Sequence, residues 1–383
     1  MLSNNRFSKR KILMICPQPF LILRGTPNAI LNKIKVFQNL QYHIFLLIPN
    51  CHPVENPDKY ISSHNLTIIK TPTFMKLKTF NPGFSFYKII ILPFFIYQSI
   101  KLSLNNNFDF VFCLEDGIFY GLILKLLFNK KIIYRVHTLP SNYPTHNFIL
   151  KYTFKFLDFL FCSFSDAIAV INHLDELKIK NRYNQNVFFI NVIPALNDGK
   201  KQMNKELNLF NKNKFTILWY GNTEKYQNFD LFLKLIIEFQ NDDNFYFVVC
   251  SNDEIKINNF KNFTILKIDE INNFDELFNN VDLCVSFKDD DNGFPSRLVV
   301  FIKYHKAILA SDTKVHRTYL KHNVNAYLVP KEFDKIKDAI KHLHQCPEKI
   351  KMFEDKIKDL YVREFSFEKY QMKFEKLIKS IMN

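Results

Sequence analysis

The sequence predicts an α/β fold made of two doubly wound, parallel-sheet domains. Three observations carry this: short apolar runs alternate with longer segments of three-to-four spacing, the alternation stops after Pro194 in a polar stretch, and it restarts at Phe215. A length of 383 residues with 47% hydrophobic content suits two or three globular units at about 100–200 residues each.

In the first half the strands are expected at KILMIC (11–16), HIFLLIP (43–49), LTIIK (66–70), DFVFCL (109–114), KIIYRV (131–136), AIAVI (167–171) and VFFINV (187–192). Continuous apolarity of this length suits parallel strands covered on both faces. The segments PNAILNKIKVFQNL (27–40) and GIFYGLILKLLF (117–128) read as crossover helices, so residues 1–195 form the first domain. The lysine- and asparagine-rich stretch 196–214 reads as a linker. FTILWYG (215–221), FYFVVCS (245–251), FTILKI (263–268), LCVSF (283–287), AILAS (307–311) and AYLVP (326–330) then give the strands of a second α/β domain, 215–364, whose tail is helical. Residues 365–383 read as a closing helix.

Composition excludes collagen-like, linker and low-complexity chains: 16% of residues are aromatic, 42 are Phe and only seven are Gly. Lys and Arg outnumber Asp and Glu by 52 to 37, a formal +15 that suits phosphate-bearing ligands or an anionic membrane surface. The charge is spread along the chain without a nucleic-acid motif, so no nucleic-acid partner is expected. The seven cysteines form no C-x-x-C pair and mostly lie in apolar runs, as reduced core residues of a cytoplasmic protein would. ILMIC is too short for the apolar core of a signal peptide. FSFYKIIILPFFIYQSI (84–100) is interrupted by Lys88, Pro93 and Gln98 and is too short to span a bilayer. Both it and FILKYTFKFLDFLFCSF (148–164), where aromatics alternate with lysines, have two readings: core packing, which is favoured, and a helix on a membrane surface.

Open parallel sheets bind ligands outside the carboxyl ends of their strands, and two such domains facing each other leave a cleft there. Scarce glycine points to the same loops, because each Gly is expected where a side chain would clash or where φ is positive. Gly25 and Thr26 open a helix that starts near Pro27, whose amides could receive a negative group. Glu115 and Asp116 precede a helix at Gly117, where carboxylates cap the helix or hold a sugar hydroxyl. His137 follows a strand end beside Arg135, as a candidate for polar contact with substrate.

In the second domain Gly221, Asn222 and Lys225 precede a helix at about Asn228, a plausible approach for a diphosphate. In SFKDDDNGFPSRLVVFIKYHKAILASD (286–312) an acidic loop leads through Gly293, Phe294 and Pro295 to a helix opened by Ser296 and Arg297, whose guanidinium suits a diphosphate. Asp289, Asp290 and Asp291 read as solvated surface in preference to a metal site, and no zinc, Ser-His-Asp or P-loop constellation is present.

The order of these motifs resembles the GT-B glycosyltransferases, in particular the retaining, nucleotide-sugar-dependent family four (group 1) enzymes. RGTP after the first strand, CLEDGIFYG, YRVHTLP, SDAIAVINHL, YGNTEKYQNFDLFLKLI, VDLCVSFKDDDNGFPSRLVVFIKYHKAILASD and the late FSFEKY carry the likeness across nearly the whole chain. The resemblance implies two Rossmann-like domains facing a cleft, the first binding acceptor and the second the nucleotide, with the closing helix crossing back to the first. It places Gly25 and Thr26 near the donor phosphate, His137 on the donor sugar, the backbone amides of a Gly-Phe-Pro turn, here Gly293, Phe294 and Pro295, on the transferred sugar, and Ser296 and Arg297 in a Pro-Ser-Lys/Arg variant. His137 and Arg297 become the catalytic candidates. Gly221, Asn222, Lys225, Asp291 and Ser296 join the donor-binding set, and Glu115 and Asp116 the acceptor-binding set.

Several family positions differ. The Arg after the first nucleotide-domain strand is Asn222, the Lys-Gly pair is Gln227 and Asn228, the paired glutamates fall on Asn292 and Val300, and the Gly-Lys-Pro turn is His305, Lys306, Ala307. Lys225, Arg297 and Asp291 are the candidates to substitute from neighbouring positions.

The resemblance thus implies retaining transfer of a sugar from a nucleotide-diphosphate sugar to a hydroxyl of a glycan or a polyprenyl- or other lipid-linked acceptor in bacterial cell-envelope polysaccharide or glycolipid synthesis. No cofactor or metal is expected, the nucleotide sugar being a co-substrate, and the place would be cytoplasmic, peripheral on the inner membrane face. A second reading is a weakly active or inactive relative that binds a glycan, lipid or partner protein.

Overall fold

The computed structural model describes residues 10–18, 25–50, 64–72, 86–143, 145, 147–194, 214–255, 261–271, 273–288 and 294–382, with 25–29, 86, 87 and 226 described by backbone alone. The chain divides into two compact units, Met1–Asn197 with Tyr370–Asn383, and Asp198–Lys369. The expected linker lies almost wholly outside the described residues, only residue 214 falling within them.

The first unit begins with β1 (Lys11–Ile15), α1 (Gly25–Asn39), β2 (His43–Ile48), β3 (Leu66–Lys70) and α2 (Phe86–Asn105). It continues with β4 (Phe110–Leu114), α3 (Gly117–Phe128), β5 (Ile132–Val136), α4 (Phe148–Ser163), β6 (Ala167–Val170), α5 (His173–Arg182) and β7 (Val187–Phe189). The strands form one sheet in the order β3-β2-β1-β4-β5-β6-β7, and every pair is parallel. Each expected strand is present. All residues of β4, β5 and β6 are buried, as two-sided cover requires, whereas the edge strand β3 is half-buried throughout.

α2, α3, α4 and α5 cover one face of this sheet through a single core that includes Phe95, Tyr120, Leu124, Phe161 and Ile179. α1 belongs to the other face, where Phe37 meets Phe110 and Phe112 with ring centroids 6.0 and 5.2 Å away. α12 (Phe367–Met382) joins it there: Phe374 stands 5.9 Å from both Phe37 and Phe112. The closing helix therefore returns to the first unit, as the resemblance implies.

The second unit contains β8 (Phe215–Tyr220), α6 (Phe229–Glu238), β9 (Phe245–Cys250), β10 (Phe263–Leu266), α7 (Phe274–Asn279) and β11 (Leu283–Ser286). α8 (Ser296–Lys303), β12 (Ala307–Ser311), α9 (Lys314–Arg317), β13 (Tyr327–Val329), α10 (Phe333–Gln345) and α11 (Pro347–Leu360) follow. Its parallel sheet has the order β10-β9-β8-β11-β12-β13. Both units are Rossmann-like, and in each the strand order reverses direction beside the first strand, between β1 and β4 and between β8 and β11.

One device recurs in both sheets. Asp109, Asp166 and Asp282 each stand just before a strand and accept the backbone N–H at the start of a neighbouring one, from Lys11 at 2.8 Å, Ile132 at 2.7 Å and Thr216 at 2.7 Å. A carboxylate thus satisfies a donor that the ladder leaves open.

Two expectations need correction. Core packing for 148–164 holds for only one half of α4: Phe161 and Cys162 lie in the core with Leu157 and Leu160 packed against it, whereas residues 147–153 are all exposed. The first helix starts at Gly25 instead of near Pro27, a shift within the ordinary uncertainty of helix ends.

Glycine follows the expectation at three described positions. A Cβ on Gly117 would stand 2.5 Å from the Ile15 carbonyl oxygen, one on Gly121 would stand 2.3 Å from Cys113 Sγ, and Gly221 has φ +111°. Elsewhere asparagine supplies four of the seven left-handed non-glycine residues among those described, Asn65, Asn129, Asn228 and Asn323, because its short polar side chain tolerates that region. Cys16, Cys113, Cys162, Cys250 and Cys284 are free and buried, and Cys346 is free and half-buried.

Candidate functional site

The reversal of strand order leaves a crevice at the carboxyl ends of the two diverging strands, the usual ligand position in open α/β sheets. In the first unit, α3 starts against the end of β1, as the close approach of Gly117 to Ile15 shows. Glu115 precedes that helix at φ +47°, a strained conformation for a residue with a side chain. Neither carboxylate caps the helix: Asp116 occupies the N-cap position without a side-chain cap bond and pairs instead with Lys88 of α2.

Glu115 ties β4 to the loop after β5. Its Oε1 accepts the His137 backbone N–H at 2.7 Å and lies 3.2 Å from His137 Nδ1. Burial, with the neighbouring Asp116, pushes the Glu115 carboxyl up to about 8. Burial, with Lys33 and Arg135 nearby, pushes the imidazole well below its usual value. Burial thus favours the uncharged form of both groups at this contact. His137 Nε2 is buried and has no hydrogen-bond partner among the described residues.

Two buried cations lie behind this pair. Arg135 donates from Nη1 to the Val170 carbonyl at 3.4 Å, while its Nε and Nη2 have no hydrogen-bond partner among the described residues. Lys33 of α1 is fully buried, and burial followed by the Arg135 charge holds its ammonium well below the ordinary lysine range. The backbone of Gly25 and Thr26 lies in the first turn of α1.

In the second unit the crevice lies between β8 and β11. Arg297, the second residue of α8, is buried with its guanidinium 4.0 Å from the Trp219 ring centroid. Its Nη2 donates to the Asn222 carbonyl at 3.3 Å, and the missing Cβ of Gly221 would stand 3.7 Å from the same nitrogen. Stacking on the indole fixes the guanidinium plane and leaves its edge for hydrogen bonding. Pro295 is buried at the N-cap position of α8, Ser296 is exposed and makes no cap bond, and Phe294 packs edge-on against Tyr319 at 5.7 Å. Asp291 and Gly293 lie outside the described residues.

The structure brings Arg297 to Gly221 and Asn222 but does not join Lys225 to them. Lys225 is exposed in a 3-10 turn, Lys225–Gln227, and among the described residues no contact links it to Arg297. Gln227, at the position of the family lysine, is buried and uncharged. Asn228 and His305, where the resemblance implies glycine, both adopt the left-handed conformation, at φ +56° and +54°.

Three site residues escaped the sequence reading. Lys33 shares the apolar stripe of Ile30, Ile34 and Phe37, and a lysine in that register was a legible signal. Trp219 is the single tryptophan of the chain. His316, fully buried, donates from Nδ1 to the Ser311 carbonyl at 2.7 Å and accepts from Ser286 Oγ at 3.0 Å, linking the ends of β11 and β12. No sequence pattern marks it. Among the described residues no three His, Cys, Asp or Glu side chains gather as a metal site, and no helix is long and apolar enough to cross a membrane.

Two parallel Rossmann-like units with a returning C-terminal helix define the GT-B class of fold. The chain is similar over 97% of its length to 99% of sucrose-phosphate synthase from Thermosynechococcus elongatus, at 12% identity and TM-score 0.72. It is similar over 98% to all of a glycosyltransferase from Rickettsia africae, at 13% identity and TM-score 0.72. It is also similar over 97% to all of HepE from Anabaena, solved with UDP and glucose, at 11% identity and TM-score 0.69. Residues 200–360 match the family model described as glycosyl transferases group 1. The resemblance read from the motifs therefore holds, for the fold across the chain and for the sequence across most of the second unit. No curated protein sequence matches the chain.

Proposed function

We propose that this protein is a retaining glycosyltransferase that moves a sugar from a nucleotide-diphosphate sugar to a hydroxyl of a glycan or lipid-linked acceptor in cell-envelope synthesis. The observation that carries the reading is Arg297, locked by Trp219 and Asn222 against the side-chain-free Gly221 within the segment that matches the family.

The chemical problem is the charge of the leaving nucleoside diphosphate. Arg297 and the first amides of α8 offer fixed donors to it, and in a water-poor site each such contact contributes about 2–4 kcal/mol to the barrier reduction. His137, which burial holds towards its neutral form and whose Nε2 has no partner among the described residues, suits a sugar hydroxyl in the first unit. Glu115, which holds His137 in place, acts as a positioning residue, and Asp116 stays near the acceptor hydroxyls. In the first unit Gly25 and Thr26 are the residues assigned to the donor phosphate, and no resident metal or cofactor enters the reaction. HepE was solved with UDP and glucose, which supports a UDP-sugar as the first donor to try. The formal +15 and the aromatic-lysine helices support a cytoplasmic enzyme attached peripherally to an anionic inner membrane face.

A specific observation favours a second reading, a weakly active or inactive relative: Gln227 is uncharged and Lys225 stands apart from Arg297. Calorimetric and thermal-shift titration with UDP-, GDP-, ADP- and CMP-sugars, repeated with Arg297→Ala, separates the two. Binding raises the melting temperature by mass action. One nucleotide sugar that stabilises the wild type and not the variant supports the transferase, and silence across the panel supports the inactive relative.

A further inference from the structure

The helical layer of the first unit leaves large apolar side chains in solvent where a globular surface would be polar. In α4, Phe148 is 70% and Ile149 73% exposed, followed one turn later by Tyr152, two turns later by Phe156 and three turns later by Phe159, all exposed. The rings group with one another: Phe148 and Tyr152 stand 4.5 Å apart, and Phe156 and Phe159 6.4 Å apart. The helices packed in the same layer also expose large apolar side chains, α3 Leu126 and Leu127 and α2 Ile90 and Tyr97. Large exposed apolar side chains grouped in this way mark a docking face.

Charge identifies its occupant. α2, α3 and α4 carry five lysines and one acid, and that acid, Asp158, is fully buried. Lys88 and Lys125 are held by Asp116 and Asp166. Lys101, Lys151 and Lys155 remain exposed, two of them against the rings of exposed tyrosines: Lys101 lies 5.8 Å from Tyr97 and Lys155 5.4 Å from Tyr152. Aromatics interleaved with lysines suit the boundary between lipid headgroups and acyl chains. A second copy fits poorly, because a two-fold contact sets this face against itself with lysines and no exposed acid on the three helices to receive them.

We propose that the face formed by α2, α3 and α4 docks on an anionic bilayer surface, with the N-terminal half of α4 inserted at headgroup depth. This rests on the peripheral attachment proposed above and specifies the surface that makes it. The test is co-sedimentation of the full chain with phosphatidylcholine vesicles and with vesicles that also contain phosphatidylglycerol, for three proteins: wild type, Phe148→Ser/Tyr152→Ser/Phe156→Ser, and Lys151→Glu/Lys155→Glu. These side chains are exposed, and an unchanged far-ultraviolet spectrum and melting temperature verify the fold. The expected result is sedimentation of the wild type with phosphatidylglycerol vesicles and a loss of about tenfold or more in each variant. Wild-type binding that both variants retain overturns this face and leaves peripheral attachment standing. No wild-type binding overturns both. A dimer of the wild type that the serine variant dissolves, without vesicle binding, assigns the face to a second copy and overturns the proposal.

Discussion

Glu115 Oε1 receives the backbone N–H of His137 at 2.7 Å and faces its Nδ1 at 3.2 Å, joining the ends of β4 and β5 through two groups that burial holds towards their uncharged forms. The acid acts on the geometry of the imidazole instead of on its charge. Burial of both groups produces this, since each is held in its uncharged form by the same lack of solvent.

The pair predicts a pH dependence. The folded-state carboxyl of Glu115 is raised to about 8 from the ordinary value of 4.5, so the folded protein holds this proton more tightly than the unfolded chain. Its stabilising contribution is complete below pH 4.5 and is lost as pH rises through about 8, by up to about 1.4 kcal/mol per pH unit in that window. Glu115→Gln removes the titration. Urea denaturation at a series of pH values should show the variant gaining on the wild type from pH 5 to pH 8, and a constant difference contradicts the assignment.

Arg297→Lys keeps the charge and loses the planar stack on Trp219 and the bond to Asn222. Nucleotide-sugar binding should weaken by roughly ten- to a hundredfold, the equivalent of about 1.5–3 kcal/mol for a charged hydrogen bond. Calorimetry with the donor that stabilises the wild type checks this, and equal affinity in the two proteins removes Arg297 from the donor site.

Gly117→Ala sets a methyl group 2.5 Å from the Ile15 carbonyl oxygen, a backbone atom in a central strand that has no room to yield. A loss of about 1–3 kcal/mol in stability is expected. Asn228→Gly is the control: the residue already occupies the left-handed region, so the change should stay within about 0.5 kcal/mol. Chemical denaturation of both variants gives the comparison.

His316→Phe leaves the Ser311 carbonyl and the Ser286 hydroxyl without the imidazole that bridges them. Stability should fall by about 1–3 kcal/mol. Because the bridge sits at the carboxyl ends of β11 and β12, next to the loop that leads to α8, donor affinity should fall with it. A variant that loses stability but keeps full donor affinity confines His316 to the core.

Much of the site was legible before the fold was known. The loops after β1, β4, β5, β8 and β11 follow from the positions of the apolar runs, and Glu115, His137, Gly221 and Arg297 lie in or just beyond those loops. Partners were not legible. Arg297 and Trp219 are 78 residues apart along the chain and Lys33 and Arg135 are 102 apart, and no spacing rule links such pairs. Asn228 and His305 stand where the resemblance implies glycine, and only the backbone shows that both have positive φ.

The sequence by itself determined the strands, their parallel character in two units and the strand ends where chemistry could gather. These follow from local periodicity and from the burial of continuous apolar runs, which each segment carries in its own residues. Only the tertiary structure decided which charges are neutralised by burial, that Lys225 stands apart from Arg297, and that α4 turns its aromatic residues to solvent. Desolvation and exposure depend on what packs against a side chain, and that neighbour comes from distant parts of the chain.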